Sequence, residues 1–236
     1  MSLSHPDPVT ADAFILAGGH SSRMGCDKAL IPLAGSPLIH HALGILRAAG
    51  LDPRIAGARS DLSSFAFTLP DDPTRSGLGP LSGICSALGA SSAPCAVFVP
   101  VDLPLLPFSL IVYLLHHAAI TQSAITAVSI AGFTQTFPVV IDRAALSALQ
   151  SCLQSKDRNC LRAFREAASA IAKPLSVVPI ELLLQSGQVS HPHGFPAALW
   201  FLNINSPDDL AHAETLFSGS PSKGLRLQRG SPANFK

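Results

Sequence analysis

The sequence predicts an α/β protein with a mainly parallel sheet and helices on both of its faces. Two continuous apolar runs, Ala13–Ala17 and Cys95–Pro100, are typical of strands that are buried on both sides. Each run is followed by a segment rich in Gly or Pro and then by a helical pattern, and this alternation favours parallel strands joined by helices. The chain has 236 residues, of which 47% are hydrophobic, so it can bury a sizeable core as one domain.

The first helix is expected over Ser36–Ala49, because Ser-Pro suits a helix start and Gly50 suits a helix stop. Further strands are predicted at Arg54–Ala58, Phe65–Leu69, Ala124–Ile130, Thr136–Ile141 and Trp200–Ile204. Further helices are predicted at Pro80–Gly89, Leu110–Ala119, Arg143–Gln154 and Asn159–Ala170, and from Ser206 onward. The two strands within residues 124–141 are expected to form an antiparallel excursion from the sheet. We expect one domain over residues 12–217, followed over 218–236 by a disordered tail whose four charged residues are all basic.

Composition argues against several classes of protein. Charged residues make up only 13% of the chain, but the long uncharged stretch between Asp102 and His116 contains Pro104 and Pro107 and is too short to cross a bilayer of roughly 30 Å. A net charge of +1, with one Tyr and one Trp, gives neither the basic groove nor the aromatic platforms that nucleic-acid binding needs. The five Cys form no C-x-x-C pair, and no Lys or Arg precedes Arg23 as a secretory signal would require. We therefore expect a reduced, cytoplasmic protein that binds neither membrane nor nucleic acid.

The segment Leu16–Lys28, LAGGHSSRMGCDK, carries the strongest functional signal because it directly follows the first buried strand. Its three glycines, among them Gly18 and Gly19, let backbone N–H groups approach phosphate oxygens, while Arg23 and Lys28 add two cations. This set suits a triphosphate and the charge of departing pyrophosphate. The spacing is that of neither the P-loop, since no Ser or Thr follows Lys28, nor G-x-G-x-x-G, since Gly18 and Gly19 are adjacent. The structural alternative is a flexible connection with incidental cations.

Acidic residues supply the second signal. Asp102 directly follows the strand Cys95–Pro100, where a carboxylate faces the ligand crevice and suits Mg²⁺ together with phosphate oxygens. A turn aspartate that bonds local N–H groups is the alternative for Asp102, and on its own Asp71-Asp72 is typical of a solvated turn. His191-Pro-His193 has no nearby Cys or carboxylate to complete a metal site and is assigned to a loop.

The pattern L-A-G-G-x-S-x-R-M-G-x-D-K-A-L resembles the signature of the molybdenum cofactor guanylyltransferase family, which joins GMP from GTP to the phosphate of molybdopterin. The resemblance implies a three-layer, Rossmann-like nucleotidyltransferase fold, GTP and molybdopterin as substrates, and Mg²⁺ as cofactor. It implies Arg23 and Lys28 as catalytic cations and Asp102, followed by a proline as in D-x-P, as the metal ligand. Nucleotide contacts are implied for Leu16, Ala17, Gly18, Gly19, Lys28, Asp72, Gly79, Pro80 and Asp102. Cytidylyl-transferring relatives usually begin L-A-A-G, so Gly18-Gly19 favours guanine.

The segment WFLNINSPDDL resembles the N-x-N-[ST]-P-x-[DE]-L element that closes the same family's sequences. Asn203 and Asn205 are expected on one face of a strand, where they either bind the acceptor or order the metal site, and a structural role is equally open. Ser206 is expected to begin a helix, and with Asp209 it approximates a capping box. Relatives often place an Asn near Ala56, and this departure concerns base specificity.

The function implied is transfer of GMP from GTP to molybdenum-molybdopterin, with the acceptor phosphate attacking the α-phosphorus. That phosphate is already anionic near neutral pH, so no general base is required. Other proteins of molybdenum cofactor biosynthesis, or the enzymes that receive the cofactor, are possible partners. Three alternatives stay open: a cytidylyltransferase on molybdopterin or another phosphate acceptor, a non-catalytic nucleotide-binding or partner-binding module, and an unrelated α/β domain.

Overall fold

The computed structural model describes residues 9–18, 27–57, 59–69, 79–154 and 159–219. The strands are β1 Ala11–Leu16, β2 Pro32–Leu33, β3 Ser36–Pro37, β4 Pro53–Ala56, β5 Thr68–Leu69, β6 Cys95–Pro100, β7 Ile125–Ile130, β8 Phe133–Asp142 and β9 Leu175–Pro179. The α-helices are α1 Leu38–Ala48, α2 Pro80–Ala90, α3 Phe108–Thr121, α4 Leu146–Leu153, α5 Cys160–Ala170, α6 Ile180–Gln185, α7 Ala197–Trp200 and α8 Pro207–Gly219. Short 3₁₀ turns cover Lys28–Leu30, Ser60–Leu62 and Arg143–Ala145.

Within those described residues, a seven-stranded sheet has the order β5-β4-β1-β6-β8-β7-β9. Strands β5, β4, β1 and β6 run parallel, while β8 lies antiparallel to β6 and to β7, and β9 runs parallel to β7. The predicted antiparallel excursion is therefore confirmed as the β7–β8 pair. The register places Leu16 level with Ala56 and with Pro100, so β1, β4 and β6 end at the same edge of the sheet.

The core consists of two apolar layers, one on each face of the sheet. Alternate residues of β1 contribute to different layers. Ile15 packs with α1 and α3 in the first layer, whereas Phe14 packs with α2, α4 and α5 in the second layer. The Phe14 ring stacks on that of Phe98 in β6, with ring centroids 5.5 Å apart. Helices on both faces of a mainly parallel sheet make the three-layer α/β fold that the sequence predicts.

The predicted strand Trp200–Ile204 is wrong. Residues 197–200 form one helical turn, and residues 201–205 pair with no strand among the described residues. The run is apolar because Trp200 and Ile204 are buried in the first layer, and the indole Nε1 of Trp200 donates to the Phe195 carbonyl oxygen at 2.8 Å. A buried irregular segment thus has the apolar spacing of a strand without its hydrogen bonds.

Other boundaries differ for local reasons. Ser36–Pro37 pairs with Pro32–Leu33 in a small hairpin, so α1 begins only at Leu38. Strand β9 and helix α6 were not predicted, and both fall within residues 171–198, where the sequence shows neither alternation nor a long period. Ser218 and Gly219 belong to α8, while residues 220–236 of the predicted tail lie outside the described residues.

In the part of the chain that the structure describes, every helix falls short of the length and apolarity that crossing a membrane requires. Helix α3 is very apolar but has 14 residues, which span about 21 Å.

Candidate active site

The end of β1 is held by both neighbouring strands. The Ala17 N–H donates to the Ala56 carbonyl oxygen at 3.2 Å, and the Val101 N–H donates to the Leu16 carbonyl oxygen at 3.2 Å. The side chains of Leu16 and Ala17 are buried, whereas Gly18 is exposed. Because the Leu16 carbonyl and the Ala17 N–H are already bonded to neighbouring strands, the exposed backbone of Gly18 is the part of residues 16–18 that a ligand can contact.

Lys28 lies at the centre of a polar cluster at the same edge. Its Nζ is 2.9 Å from Oδ2 of Asp102, which follows β6, and 2.5 Å from Oδ1 of Asn205. The side chains of Lys28 and Asp102 are each 17% exposed, so the ion pair is largely shielded from solvent. Lys28 thus meets two other residues that the sequence analysis singled out, Asp102 and Asn205, which lie 74 and 177 positions further along the chain.

A main-chain hydrogen bond brings Asn205 to this point. The N–H of buried Ile204 donates to the Asp102 carbonyl oxygen at 3.0 Å, and this bond fixes the segment before α8 against the end of β6. Asn203 is exposed on the same segment, and of the two asparagines only Asn205 meets Lys28 among the described residues. The expectation that both amides lie on one face of a strand is therefore wrong, because residues 202–205 do not form a strand.

The start of α8 has the predicted capping box. The Asp209 N–H donates to Oγ of Ser206 at 3.2 Å, and the Ser206 N–H donates back to Oδ2 of Asp209 at 2.9 Å. Oδ2 of Asp209 also accepts from the Asn205 N–H at 3.0 Å. The Ser206 hydroxyl and these N–H groups lower the pKa of Asp209, and the nearby Lys28 ammonium contributes. The structural role predicted for Ser206 and Asp209 is confirmed, and the same carboxylate orients the backbone of Asn205.

The chain after β4 contacts Ala17 and Asp27, the residues on either side of segment 18–26, which is called the glycine-rich segment below. The sequence did not indicate this contact. Arg59 Nη1 donates to the Ala17 carbonyl oxygen at 3.0 Å and to Oδ1 of Asp27 at 3.2 Å, while Nη2 bonds to Oδ2 of Asp27. Gly57, at φ +119°, lies so close that a Cβ there would be 3.1 Å from the Gly18 nitrogen. A charged residue just beyond a strand adjacent to β1 was the available signal for Arg59.

Ala56, the position where relatives often have an Asn, lies in the core at the end of β4. Its side chain is 1% exposed and packs in the second apolar layer, while its carbonyl oxygen bonds to the Ala17 N–H. The Ala56 side chain points into the core, and its effect on base specificity stays a prediction.

The remaining predicted residues divide into two groups. Gly79 and Pro80 are exposed at the amino end of α2, with Gly79 as the N-cap. A Cβ on Gly83, in the first turn, would lie 3.4 Å from Cδ2 of Leu16, which places the start of α2 beside the end of β1. Gly19, Arg23 and Asp72 lie outside the described residues, and their roles stay predictions.

The donor set at this edge fits a magnesium ion. Asp102 offers a carboxylate and Asn205 an amide oxygen, both hard oxygen donors within reach of one ammonium group. Across the described residues there is no group of three or more His, Cys, Asp or Glu that could hold a metal by itself. Mg²⁺ typically takes one or two carboxylates and completes its shell with phosphate oxygens and water, so one carboxylate and one amide oxygen are compatible with this ion.

Residues 13–171 match the family described as MobA-like NTP transferase domain. The molybdenum cofactor guanylyltransferase of Rhodobacter capsulatus is 31% identical over 206 residues, which cover 85% of this chain and 93% of that protein. The one from Xanthomonas euvesicatoria is 44% identical over 99 residues, 41% of this chain and about half (49%) of that protein's length.

A solved structure shows the same fold. It is that of molybdopterin-guanine dinucleotide biosynthesis protein A from Archaeoglobus fulgidus, which superposes with a TM-score of 0.70 at 21% identity and covers 88% of this chain and 98% of that one. The match over residues 13–171 and the identity over most of the chain agree on the same group of nucleotidyltransferases. The chain belongs to the family of MobA-like NTP transferase domains.

Proposed function

We propose that the protein transfers GMP from GTP to the phosphate of molybdenum-molybdopterin and releases pyrophosphate. The meeting of Lys28, Asp102 and Asn205 at the carboxyl ends of β1 and β6 is the observation that carries this proposal. The activity named for the relatives in Rhodobacter and Xanthomonas supports it. Gly18-Gly19 supports GTP over CTP, by the resemblance to guanylyl-transferring sequences.

In the proposed reaction, an oxygen of the acceptor phosphate attacks the α-phosphorus of GTP. A new P–O bond forms, the bond to the β-phosphate oxygen breaks, and pyrophosphate leaves with that electron pair. The attacking phosphate monoester is already anionic near neutral pH, so the protein need not remove a proton. Its work is to position the reactants and to stabilise the charge that builds up on the phosphates.

Lys28 is suited to this electrostatic work. Its ammonium carries three N–H donors, and two of them are directed at Asp102 and Asn205. The third donor can then meet a phosphate oxygen while the other two hold the group in place. Arg23 is proposed as the second cation, with the forked geometry that suits phosphate oxygens.

Asp102, with Asn205 beside it, is the residue proposed to hold Mg²⁺ together with phosphate oxygens and water. When bound, the ion would polarise the α-phosphate and neutralise charge on the leaving group. Backbone N–H groups at the end of β1, and Asp72, Gly79 and Pro80, are proposed to contact the nucleotide. We also propose that the reaction takes place in the cytoplasm and that the product passes to other proteins of molybdenum cofactor biosynthesis or to the enzymes that use it.

A pyrophosphate-release assay with Mg²⁺, molybdenum-loaded molybdopterin and either GTP or CTP tests the proposal. Lys28→Ala and Asp102→Ala should each lower turnover with GTP by about 100- to 1,000-fold, because the first removes the ammonium proposed to meet the phosphates and the second removes the carboxylate proposed to hold Mg²⁺. Chelation with EDTA should abolish turnover, and added Mg²⁺ should restore it.

Lys173→Ala is the matched control, because it also removes a lysine that pairs with an aspartate, in this case Asp142 at the end of β8. This variant should keep wild-type turnover. Turnover within about threefold of wild type in Lys28→Ala or Asp102→Ala, with unchanged circular dichroism, would refute the assignment. Turnover with CTP alone would select the cytidylyltransferase alternative.

A further inference from the structure

One guanidinium group contacts both residues that flank the glycine-rich segment. Arg59 Nη1 donates to the Ala17 carbonyl oxygen at 3.0 Å and to Oδ1 of Asp27 at 3.2 Å, and its Nη2 bonds to the other carboxylate oxygen of Asp27. Ala17 directly follows β1, and Asp27 directly precedes the 3₁₀ turn that begins at Lys28. The Arg59 side chain is 18% exposed, so these bonds form largely out of solvent.

The guanidinium is itself held in one orientation. Asp61 lies on its outer side and accepts from Nε at 2.9 Å and from Nη2 at 2.6 Å. The turn that carries Asp61 is anchored by Leu62, whose side chain is fully buried. Two carboxylates on two sides of one planar group fix its rotation, and a lysine with a single point charge cannot reproduce this arrangement.

Asp27 passes this constraint to Lys28. Its Oδ1 accepts from the Ala29 N–H at 3.0 Å and caps the 3₁₀ turn, and the Asp27 carbonyl oxygen accepts from the Leu30 N–H at 3.1 Å. The direction of the turn therefore depends on where Asp27 is held. Lys28 is the first residue of this turn, and its side chain reaches Asp102.

We propose that Arg59 is a positioning residue for nucleotidyl transfer. By bonding to Ala17 and to Asp27 it fixes the separation of the two ends of the glycine-rich segment. The backbone N–H of Gly18 and the ammonium of Lys28 can then bind one and the same phosphate chain. The effect on catalysis rests on the proposed function. The bracing of the segment, meaning that Arg59 holds Ala17 and Asp27 at a fixed separation, does not.

Two kinds of measurement on Arg59→Ala test the two parts of the proposal, the bracing of the segment and the positioning role in catalysis. Hydrogen exchange followed by mass spectrometry on residues 27–31 reads the bracing directly, and exchange there should be at least about tenfold faster than in the wild type. In the pyrophosphate assay, kcat/KM for GTP should fall by about 10- to 100-fold, as for other residues that orient a catalytic group through a neighbour. The loss should appear mainly in the KM for GTP, since the cations of the reaction remain present. Arg59→Lys should recover part of this loss.

Arg54→Ala is the matched control. Arg54 forms the same kind of shielded ion pair, with Asp12, in the same strand region but nearer the amino end of β1. Its removal should lower the melting temperature by a similar amount and leave both the exchange of residues 27–31 and the KM for GTP unchanged.

Each possible outcome tests a stated part of the proposal. Unchanged exchange of residues 27–31 in Arg59→Ala would overturn the bracing. Faster exchange with a wild-type KM and kcat for GTP would overturn the positioning role. An equal rise in the KM for Arg54→Ala would reduce both effects to general stability and overturn the proposal as well. If the wild-type chain transfers no nucleotide, the proposed function fails, and the exchange experiment still decides whether Arg59 holds the two ends.

Discussion

Gly57 is the position after β4 that is most sensitive to one added methyl group. Its φ of +119° is a conformation that side-chain-bearing residues rarely adopt, and a Cβ would lie 3.1 Å from the Gly18 nitrogen and 3.2 Å from the Gly18 Cα. The backbone strain costs about 1–3 kcal/mol, and the contact with backbone atoms that cannot rotate away costs about 1–3 kcal/mol more. We therefore expect Gly57→Ala to lower the free energy of unfolding by about 2–6 kcal/mol.

Two other glycines allow the cost of backbone strain to be separated from the cost of the close contact. Gly50 also has a positive φ, +80°, but an added Cβ would meet no described atom within 4 Å, so Gly50→Ala carries only the strain, about 1 kcal/mol. Gly44 lies inside α1 with the same open space, and Gly44→Ala should be neutral or stabilising by roughly 0.5–1 kcal/mol.

Urea unfolding monitored by circular dichroism measures all three variants, and the KM for GTP reports on Gly18. Gly57→Ala should raise that KM, because relief of the contact displaces the backbone at Gly18. Gly50→Ala should not change it. If Gly57→Ala proves no more destabilising than Gly50→Ala, the close approach of the two backbone segments is not the constraint inferred here.

Two further predictions concern pH and helix capping. Burial, with His193 nearby, lowers the pKa of His191 to about 4 from 6.5, so between these values the unfolded chain binds a proton that the native ring resists. The contribution of His191 to stability should be complete above pH 6.5 and should fall by about 2 kcal/mol toward pH 4, after allowance for the partly exposed ring. His191→Gln should make the melting temperature depend less on pH over this range. An unchanged pH dependence of the melting temperature in this variant would contradict the assignment. Ser206→Ala should cost about 1 kcal/mol in urea unfolding because the Asp209 N–H loses its acceptor, whereas Ser218→Ala, whose hydroxyl donates near the end of α8, should cost almost nothing. Equal losses in the two serine variants would exclude the cap.

The part of the site that follows from local rules could be predicted from the sequence. Lys28 and Asp102 each follow a buried strand, and adjacent parallel strands end at one edge of a sheet, so their convergence required only the pairing of β1 with β6. The resemblance points to Asn205, but its expected position on a strand is wrong. Asn205 reaches Lys28 through the Ile204 hydrogen bond to Asp102 and not through strand alternation.

What the sequence could not provide depends on contacts between distant residues. The bonds from Arg59 to Ala17 and Asp27 span 42 and 32 positions, and no periodicity or spacing marks either end. Strand β9 follows Pro174 and ends at Pro179, and its five residues are too few for alternation to be recognised. It is defined by its parallel pairing with β7.

The hydrogen bond between Ile204 and Asp102 has a consequence for how the protein matures. The family match ends at residue 171, and a polypeptide released at that point would already contain the strands β1 and β6 with Lys28 and Asp102. It would lack the amide oxygen that meets the lysine ammonium from 177 positions further along the chain. During synthesis the polar cluster therefore cannot be completed before the segment that carries Asn205 has left the ribosome.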